Sequence, residues 1–323
     1  MARLAAVTGA TGFIGRHTVM ALRKRGWEVR ALVRRHPADL LSPYHRLELA
    51  LGDITDEAAL ERLVDGAQAI VHLAGVVKAL RPEDFYAVNE GGTERLLRAA
   101  NRRNPDATLV HVSSLAAREP QLSPYCDSKR LAEARVAALA NGRPWTILRP
   151  PAVYGPGDLE LLPMFKAARL GLVPYPAVPG AAVSMIHGAD LGEAIAAALD
   201  RRGERHALYE VDDGTPGGYR WPDLLEALGG AIGSRPRGQP QGRPRGLRVP
   251  RLALAATAWG NARLAALDGR PRVLFPHKVA EIYFPDWVAR GDRLQAVADW
   301  QPKFDVWTGF KDTAQAYRAA HLL

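Results

Sequence analysis

Apolar residues in the first half of the chain come in short unbroken runs. The runs are "RLAAV" (3–7), "EVRALV" (28–33), "RLELAL" (46–51), "QAIVHLAG" (68–75), "ATLVHVSS" (107–114) and "WTILRP" (145–150). Each has the length of a strand and little in–out alternation, which is the pattern of strands covered on both faces. Stretches with helical spacing separate them. One helix runs from the first glycine-rich turn to Arg25 and ends at Gly26, and a second passes through Leu60 and Val64. A long amphipathic helix is expected over 85–103, with Val88, Thr93, Leu96, Leu97 and Ala100 toward a core, and another over 123–141. Strand alternating with helix predicts an α/β fold, a doubly wound parallel sheet of strand order 3-2-1-4-5-6. The dinucleotide-binding domain is placed at 1–150, with room for later segments to add to the sheet. Residues 151–323 are expected to form mainly a smaller C-terminal substrate lobe, with helices near 158–170, 188–200, 221–232 and 252–267.

Composition narrows the class. Among 323 residues there is one cysteine, Cys126, so an internal disulfide and a cysteine-rich metal site are both excluded. No metal site is expected. The start "MARLAAV" runs directly into a glycine turn, without the apolar core and cleavage site of a signal peptide, so a cytoplasmic placement is expected. "LALAATAWGNARLAAL" (252–267) is shorter than the ~20 residues a membrane span needs and is interrupted by Gly260, Asn261 and Arg263. The formal charge of +9 comes mainly from scattered arginine and reads as solvated surface, so no nucleic-acid partner is expected. Its densest part, "RPRGQPQGRPRGLRVPR" (235–251), has few hydrophobic side chains and reads as an exposed, flexible basic loop, with anion or lipid contact not expected there.

"VTGATGFIG" (7–15) sets Gly9, Gly12 and Gly15 between a strand and a helix, with Thr11, Phe13 and Ile14 filling the turn. Gly9 permits the turn, Gly12 lets the backbone approach a pyrophosphate, and Gly15 lets helix and sheet pack closely. The helix N-terminus offers unpaired N–H groups to phosphate. About twenty residues further on, an acid would select the ribose 2′-hydroxyl of NAD. Here the strand ends in Arg34 and Arg35, which favours the 2′-phosphate of NADP, with NAD as second choice.

With "GDITD" (52–56), "VHLAG" (71–75), "VNEGGTERLL" (88–97), "VSS" (112–114), "YCDSK" (125–129), "LRPPAVYGPGD" (148–158) and "VSMIHGADLGEAI" (183–195) following in order, the chain resembles the extended short-chain dehydrogenase/reductase family. It resembles in particular the NAD(P)-dependent epimerase/dehydratase-like and 3β-hydroxysteroid dehydrogenase-like branches, over nearly its whole length. The resemblance implies that Asp53 and Ile54 meet the adenine and that Leu73, Ala74 and Gly75 line the cofactor. It implies that Asn89 fixes the helix beside the active site and helps hold a relay water, and that Pro150 and Val153 pack near the nicotinamide. Family members often pair through helices on the sheet's face, so a homodimer is an expectation, although "NEGGTERLL" carries no apolar excess.

The same resemblance gives "LSPYCDSKRLAEA" (122–134) its chemistry. Tyr125 and Lys129 are one helical turn apart. A free tyrosine is a poor base at neutral pH, and a nearby ammonium favours its phenolate. Tyr125 is therefore the expected acid–base group, with Lys129 tuning it and holding the nicotinamide ribose. Ser114 is the expected substrate-orienting hydroxyl, with Ser113 as alternative. Leu115 and Ala116 stand where sugar dehydratases of this fold carry an acidic pair, so dehydration is not expected. Cys126 reads as a packing residue. The expectation is an NAD(P)-dependent oxidoreductase acting on a carbonyl or secondary alcohol of a small hydrophobic substrate. Its pocket is placed around Tyr154, Leu161, Met164, Phe165, Pro174, Tyr175, Met185 and His187, a plain core for the lobe being the other reading of the same residues. A nucleotide-sugar epimerase and a non-catalytic NADP-binding assembly protein are the alternatives.

Overall fold

A computed structural model describes residues 3–35, 47–201, 204–233, 243–268, 274–290 and 294–323. The apolar runs do become strands: β1 (Arg3–Thr8), β2 (Trp27–Val33), β3 (Glu48–Leu51), β4 (Ala69–His72), β5 (Thr108–Val112) and β6 (Trp145–Arg149). Helices α1 (Phe13–Lys24), α2 (Glu57–Val64), α3 (Pro82–Phe85), α4 (Gly91–Arg103) and α5 (Pro124–Leu139) lie between them in sequence. The later part holds β7 (Ala152–Tyr154), α6 (Leu162–Arg169), β8 (Leu172–Pro176), β9 (Ala182–Val183), β10 (Met185–His187), α7 (Gly188–Ala198), β11 (His206–Glu210), β12 (Tyr219–Arg220) and α8 (Trp221–Ile232). It closes with β13 (Arg245–Val249), α9 (Arg251–Asp268), α10 (Lys278–Ile282), β14 (Asp286–Trp287) and α11 (Val306–Ala319).

The main sheet has the order β11-β6-β5-β4-β1-β2-β3, and every pairing in it is parallel. The expected order is extended by one strand, since β11 joins β6 in the register Leu208↔Ile147. Leu60, Leu63, Ile70, Leu96, Leu97 and Leu109 form a fully buried core beside this sheet. Each such side chain contributes about 1.5–3 kcal/mol by leaving water.

The chain divides into two compact units. One comprises 1–150, 191–211 and 291–301; the other comprises 151–190, 212–290 and 302–323. The second unit packs Tyr154, Phe165, Tyr219, Phe310 and Tyr317 into an aromatic core of its own. Its strands form small sheets, β10-β7, β12-β9-β14 and β13-β8.

Two local expectations change. The helix expected over 85–103 is not one regular helix, because Tyr86–Glu90 forms a π-helical turn between α3 and α4. Residues 245–249, read as part of an exposed loop, form β13, whose backbone pairs in parallel with β8. Backbone pairing needs no apolar side chain, and these residues remain largely exposed. Residues 234–242 of that stretch lie outside the described residues.

Candidate active site

The turn after β1 is built as the glycines require. Gly9 has φ of 73°, and a Cβ there would stand 2.8 Å from the Ala74 nitrogen. A Cβ on Gly15 would come within 2.1 Å of the Gly9 carbonyl oxygen, so helix and turn approach only because it is absent. Gly12 is the N-cap of α1; no side chain caps this end, and its first turn holds no acid. Such an end favours an anion.

A cleft of about 390 Å³ opens here. Gly9, Thr11, Gly12, Arg34, Asp53, Ile54, Leu73, Ala74 and Gly75 line it together with Val76 and Val88. These nine are cofactor candidates of the sequence. Phe13, Ile14, Gly15, Asn89, Tyr125, Lys129 and Pro150 lie in the same unit but do not line this cleft, and Val153 belongs to the other unit. The cradle fits a dinucleotide: a glycine turn, an uncapped helix end, and Arg34 on the wall toward β2. Asp53 accepts hydrogen bonds from the Thr55 amide (2.7 Å) and hydroxyl through Oδ1. The cap of α2 is Asp56, which accepts from the Ala59 amide at 3.0 Å.

Helix α5 begins with Ser123 as N-cap, accepting from the Cys126 amide at 3.2 Å, and Pro124 at its first position. Tyr125 is half-buried, its ring edge-on to Phe85 with centroids 6.1 Å apart. Lys129 is buried, and its Nζ donates to the Val112 carbonyl at 2.9 Å, tying α5 to the end of β5. Burial pushes this amine down to about 8, opposed by the Glu133 carboxylate one turn on. Cys126 is fully buried, the packing role expected of it.

The adjacent serines are divided by their partners. Ser113 is buried, and its hydroxyl donates to Glu133 Oε1 at 2.6 Å. Glu133 is also gripped by Arg149, through Nε at 2.8 Å and Nη2 at 2.6 Å. Ser114 is half-buried, and its Oγ accepts from the Ala116 amide at 3.2 Å, a bond that leaves its hydroxyl hydrogen uncommitted.

A chain of buried hydrogen bonds crosses the unit from the glycine turn to α5. Thr8 Oγ1 receives the Ala74 amide at 3.1 Å and meets His72 Nδ1 at 2.7 Å. His72 Nε2 meets Thr93 Oγ1 at 2.9 Å, and Thr93 donates to the Asn89 carbonyl at 2.6 Å. Because Thr93 uses its own hydrogen on Asn89, it accepts from His72 Nε2–H, and His72 Nδ1 then accepts from Thr8. The neutral ring is consistent with burial, aided by the Lys129 charge, pulling His72 down to about 3. The Asn89 side chain bonds Val76 N (2.8 Å), Val76 O (3.1 Å) and Ser128 Oγ (2.9 Å). Ser128 donates to the Tyr125 carbonyl at 2.8 Å. Both Asn89 amide hydrogens are therefore used in holding the π-turn, the loop after β4 and α5 together.

Sequence reasoning missed His72, His111, Glu133 and Arg149. His111 lies beside His72, ring centroids 5.1 Å apart, and neither of its ring nitrogens finds a hydrogen-bond partner among the described residues. Burial and the Lys129 charge hold it well below the ordinary histidine range. The spacing of Glu133, four residues after Lys129, was the one available signal.

The residues expected to form a substrate pocket behave differently. Tyr154, Phe165, Met185 and His187 are buried, with Leu161, Met164 and Tyr175 packed against the second unit's core. Tyr154 donates to the Asp305 carbonyl at 2.9 Å, and His187 stacks on Phe304 with centroids 4.1 Å apart. No helix among the described residues is long and apolar enough to cross a membrane.

Comparison with known proteins gives the family and the fold. The profile of the NAD dependent epimerase/dehydratase family matches residues 5–211. A ceramide reductase of Caulobacter vibrioides is 37% identical over 320 residues, 98% of this chain and 94% of that protein. A 3 beta-hydroxysteroid dehydrogenase/Delta 5-->4-isomerase of Mycobacterium tuberculosis is 32% identical over 178 residues, 47% of each chain. Among solved structures, MoeE5 in complex with UDP-glucuronic acid and NAD superposes with a TM-score of 0.72 at 20% identity, covering 98% of this chain and 99% of that one. At that identity the likeness speaks for the fold. The chain belongs to the NAD dependent epimerase/dehydratase family, within the extended short-chain dehydrogenases/reductases.

Proposed function

We propose that the chain is an NADP-preferring reductase that converts a carbonyl on a hydrophobic, ceramide-like lipid into a secondary alcohol. One observation carries the reading: a buried Lys129, fixed to the end of β5, stands one turn from a half-buried Tyr125 on α5. The near full-length similarity to a ceramide reductase supports the substrate class. Arg34 on the cleft wall supports the choice of NADP.

When bound, the nicotinamide supplies the hydride. The protein has to place the carbonyl and deliver one proton. Tyr125 gives its hydroxyl proton to the carbonyl oxygen and is left as a phenolate. The Lys129 ammonium stabilises that phenolate, and its depressed pKa keeps proton exchange with it accessible near neutral pH. The Ser114 hydroxyl donates to the same carbonyl oxygen and holds its orientation. Ser113 instead anchors Glu133. Asn89, through Ser128, fixes the turn of α5 from which Tyr125 projects.

The test is NADPH consumption, followed by absorbance, with long-chain keto lipids, small ketones and UDP-sugars offered in turn. Stoichiometric oxidation of NADPH by a keto lipid is expected. Interconversion of a UDP-sugar with no added cofactor would instead mark an epimerase, and silence on every substrate a binding protein.

A further inference from the structure

Helix α9 is arranged in the reverse of an ordinary surface helix. Among its side chains Ala258 and Ala265 are the buried ones. Most of the bulky apolar residues face outward: Leu252 is 84% exposed, Trp259 58%, Leu264 52% and Leu267 85%, while Leu254 is half-buried. Leu252, Ala256, Trp259, Arg263 and Leu267 are all exposed and follow one another at four-, three-, four- and four-residue steps, so they lie along one side of the helix. The Arg263 guanidinium lies over the Trp259 ring, 4.5 Å from its centroid. The charge here is predominantly positive. Across residues 243–268, Arg243, Arg245, Arg248, Arg251 and Arg263 are set against one acid, Asp268.

We propose that α9 lies flat in the interface of a lipid bilayer bearing anionic headgroups, its leucines and Trp259 entering the acyl boundary and its arginines meeting the phosphates. Exposed leucine and tryptophan interspersed with arginine, with no acid before Asp268, suit a helix that meets a lipid surface, and α9 falls short of a span. Tryptophan favours the headgroup level, where its ring is half in apolar surroundings. A second copy of the chain fits less well. A two-fold contact through this face would set its arginines against their own copies, with Asp268 alone to offset them. The inference rests on α9 and not on the reaction; failure here leaves the reductase reading standing, and the reverse.

The test is vesicle flotation of the full chain without substrate, using phosphatidylcholine alone or mixed with phosphatidylglycerol. Flotation only with the anionic mixture is expected. Trp259→Ser should lower the partition about ten- to a hundredfold, and Arg263→Ser about fivefold. Arg251→Glu with Arg263→Glu keeps every apolar residue and should abolish flotation. Circular dichroism and NADPH oxidation with a small soluble ketone should stay unchanged in all of these. Wild-type chain remaining at the bottom of the anionic gradient overturns the proposal. So does equal flotation of the variants, or a dimer in sedimentation that Trp259→Ser disperses.

Discussion

Helices α5 and α9 break the same rule in opposite directions. Helix α5 buries Ser128, Lys129 and Glu133, while α9 exposes three leucines and a tryptophan that ordinary packing would cover. Burying a charge requires partners, and α5 has them: Val112 O for Lys129, and Ser113 with Arg149 for Glu133. Exposing apolar surface requires no partner within the protein, and α9 shows none of comparable strength among the described residues. The contrast separates two kinds of site. One is assembled inside the fold and is recognised by its satisfied polar network. The other is left open and is recognised by what the fold declines to cover.

Several variants would break or sharpen that contrast, and the largest effect belongs to α5. Tyr125→Phe should lower kcat by about 10²–10⁴-fold with little change in thermal stability; full activity would remove the acid–base role. Lys129→Met should lower kcat by a comparable factor and also alter the stability profile. The folded lysine titrates at about 8 against the ordinary 10.5. Between those values the unfolded chain holds more protons, so stability rises as pH rises through this window. Thermal melts from pH 8 to 10.5 should lose that rise in Lys129→Met.

The serines should part in the same way. Ser114→Ala is expected to lower kcat with stability intact. Ser113→Ala takes a donor from the buried Glu133 and should cost about 1–3 kcal/mol in denaturant unfolding. Arg34→Ala should raise KM for NADPH by about tenfold and leave KM for NADH alone. The smallest effect on soluble-substrate turnover is expected on α9, where Trp259→Ser should change flotation only.

The sheet was legible because its strands are apolar runs ended by glycine or by a turn, a pattern few other structures produce. The glycine turn was readable from its place between a strand and a helix, whereas Tyr125 and Lys129 were singled out by the family resemblance, since their spacing alone marks only a shared helix face. The Glu133–Arg149 pair joins residues sixteen apart in sequence, and His72 meets Thr8 and Thr93 from three separate elements. No local pattern marks such contacts. Tyr154 and Phe165 show the limit of apolar composition: large apolar residues in a lobe suit a pocket or a core equally, and here they pack as core. Strand β11 was hidden because "HALYE" sits among turn-rich segments and gains its place only by pairing with β6.

That last pairing bears on how the chain is made. The ribosome releases β1 to β6 well before residues 206–210 emerge. During that interval β6, apolar and buried in the finished sheet, is an open edge able to pair with another nascent chain. Arrival of β11 closes it, and the family profile ends one residue later, at 211. A fragment stopped at residue 200 should therefore accumulate as aggregate, whereas one extended past β11 has its sheet complete.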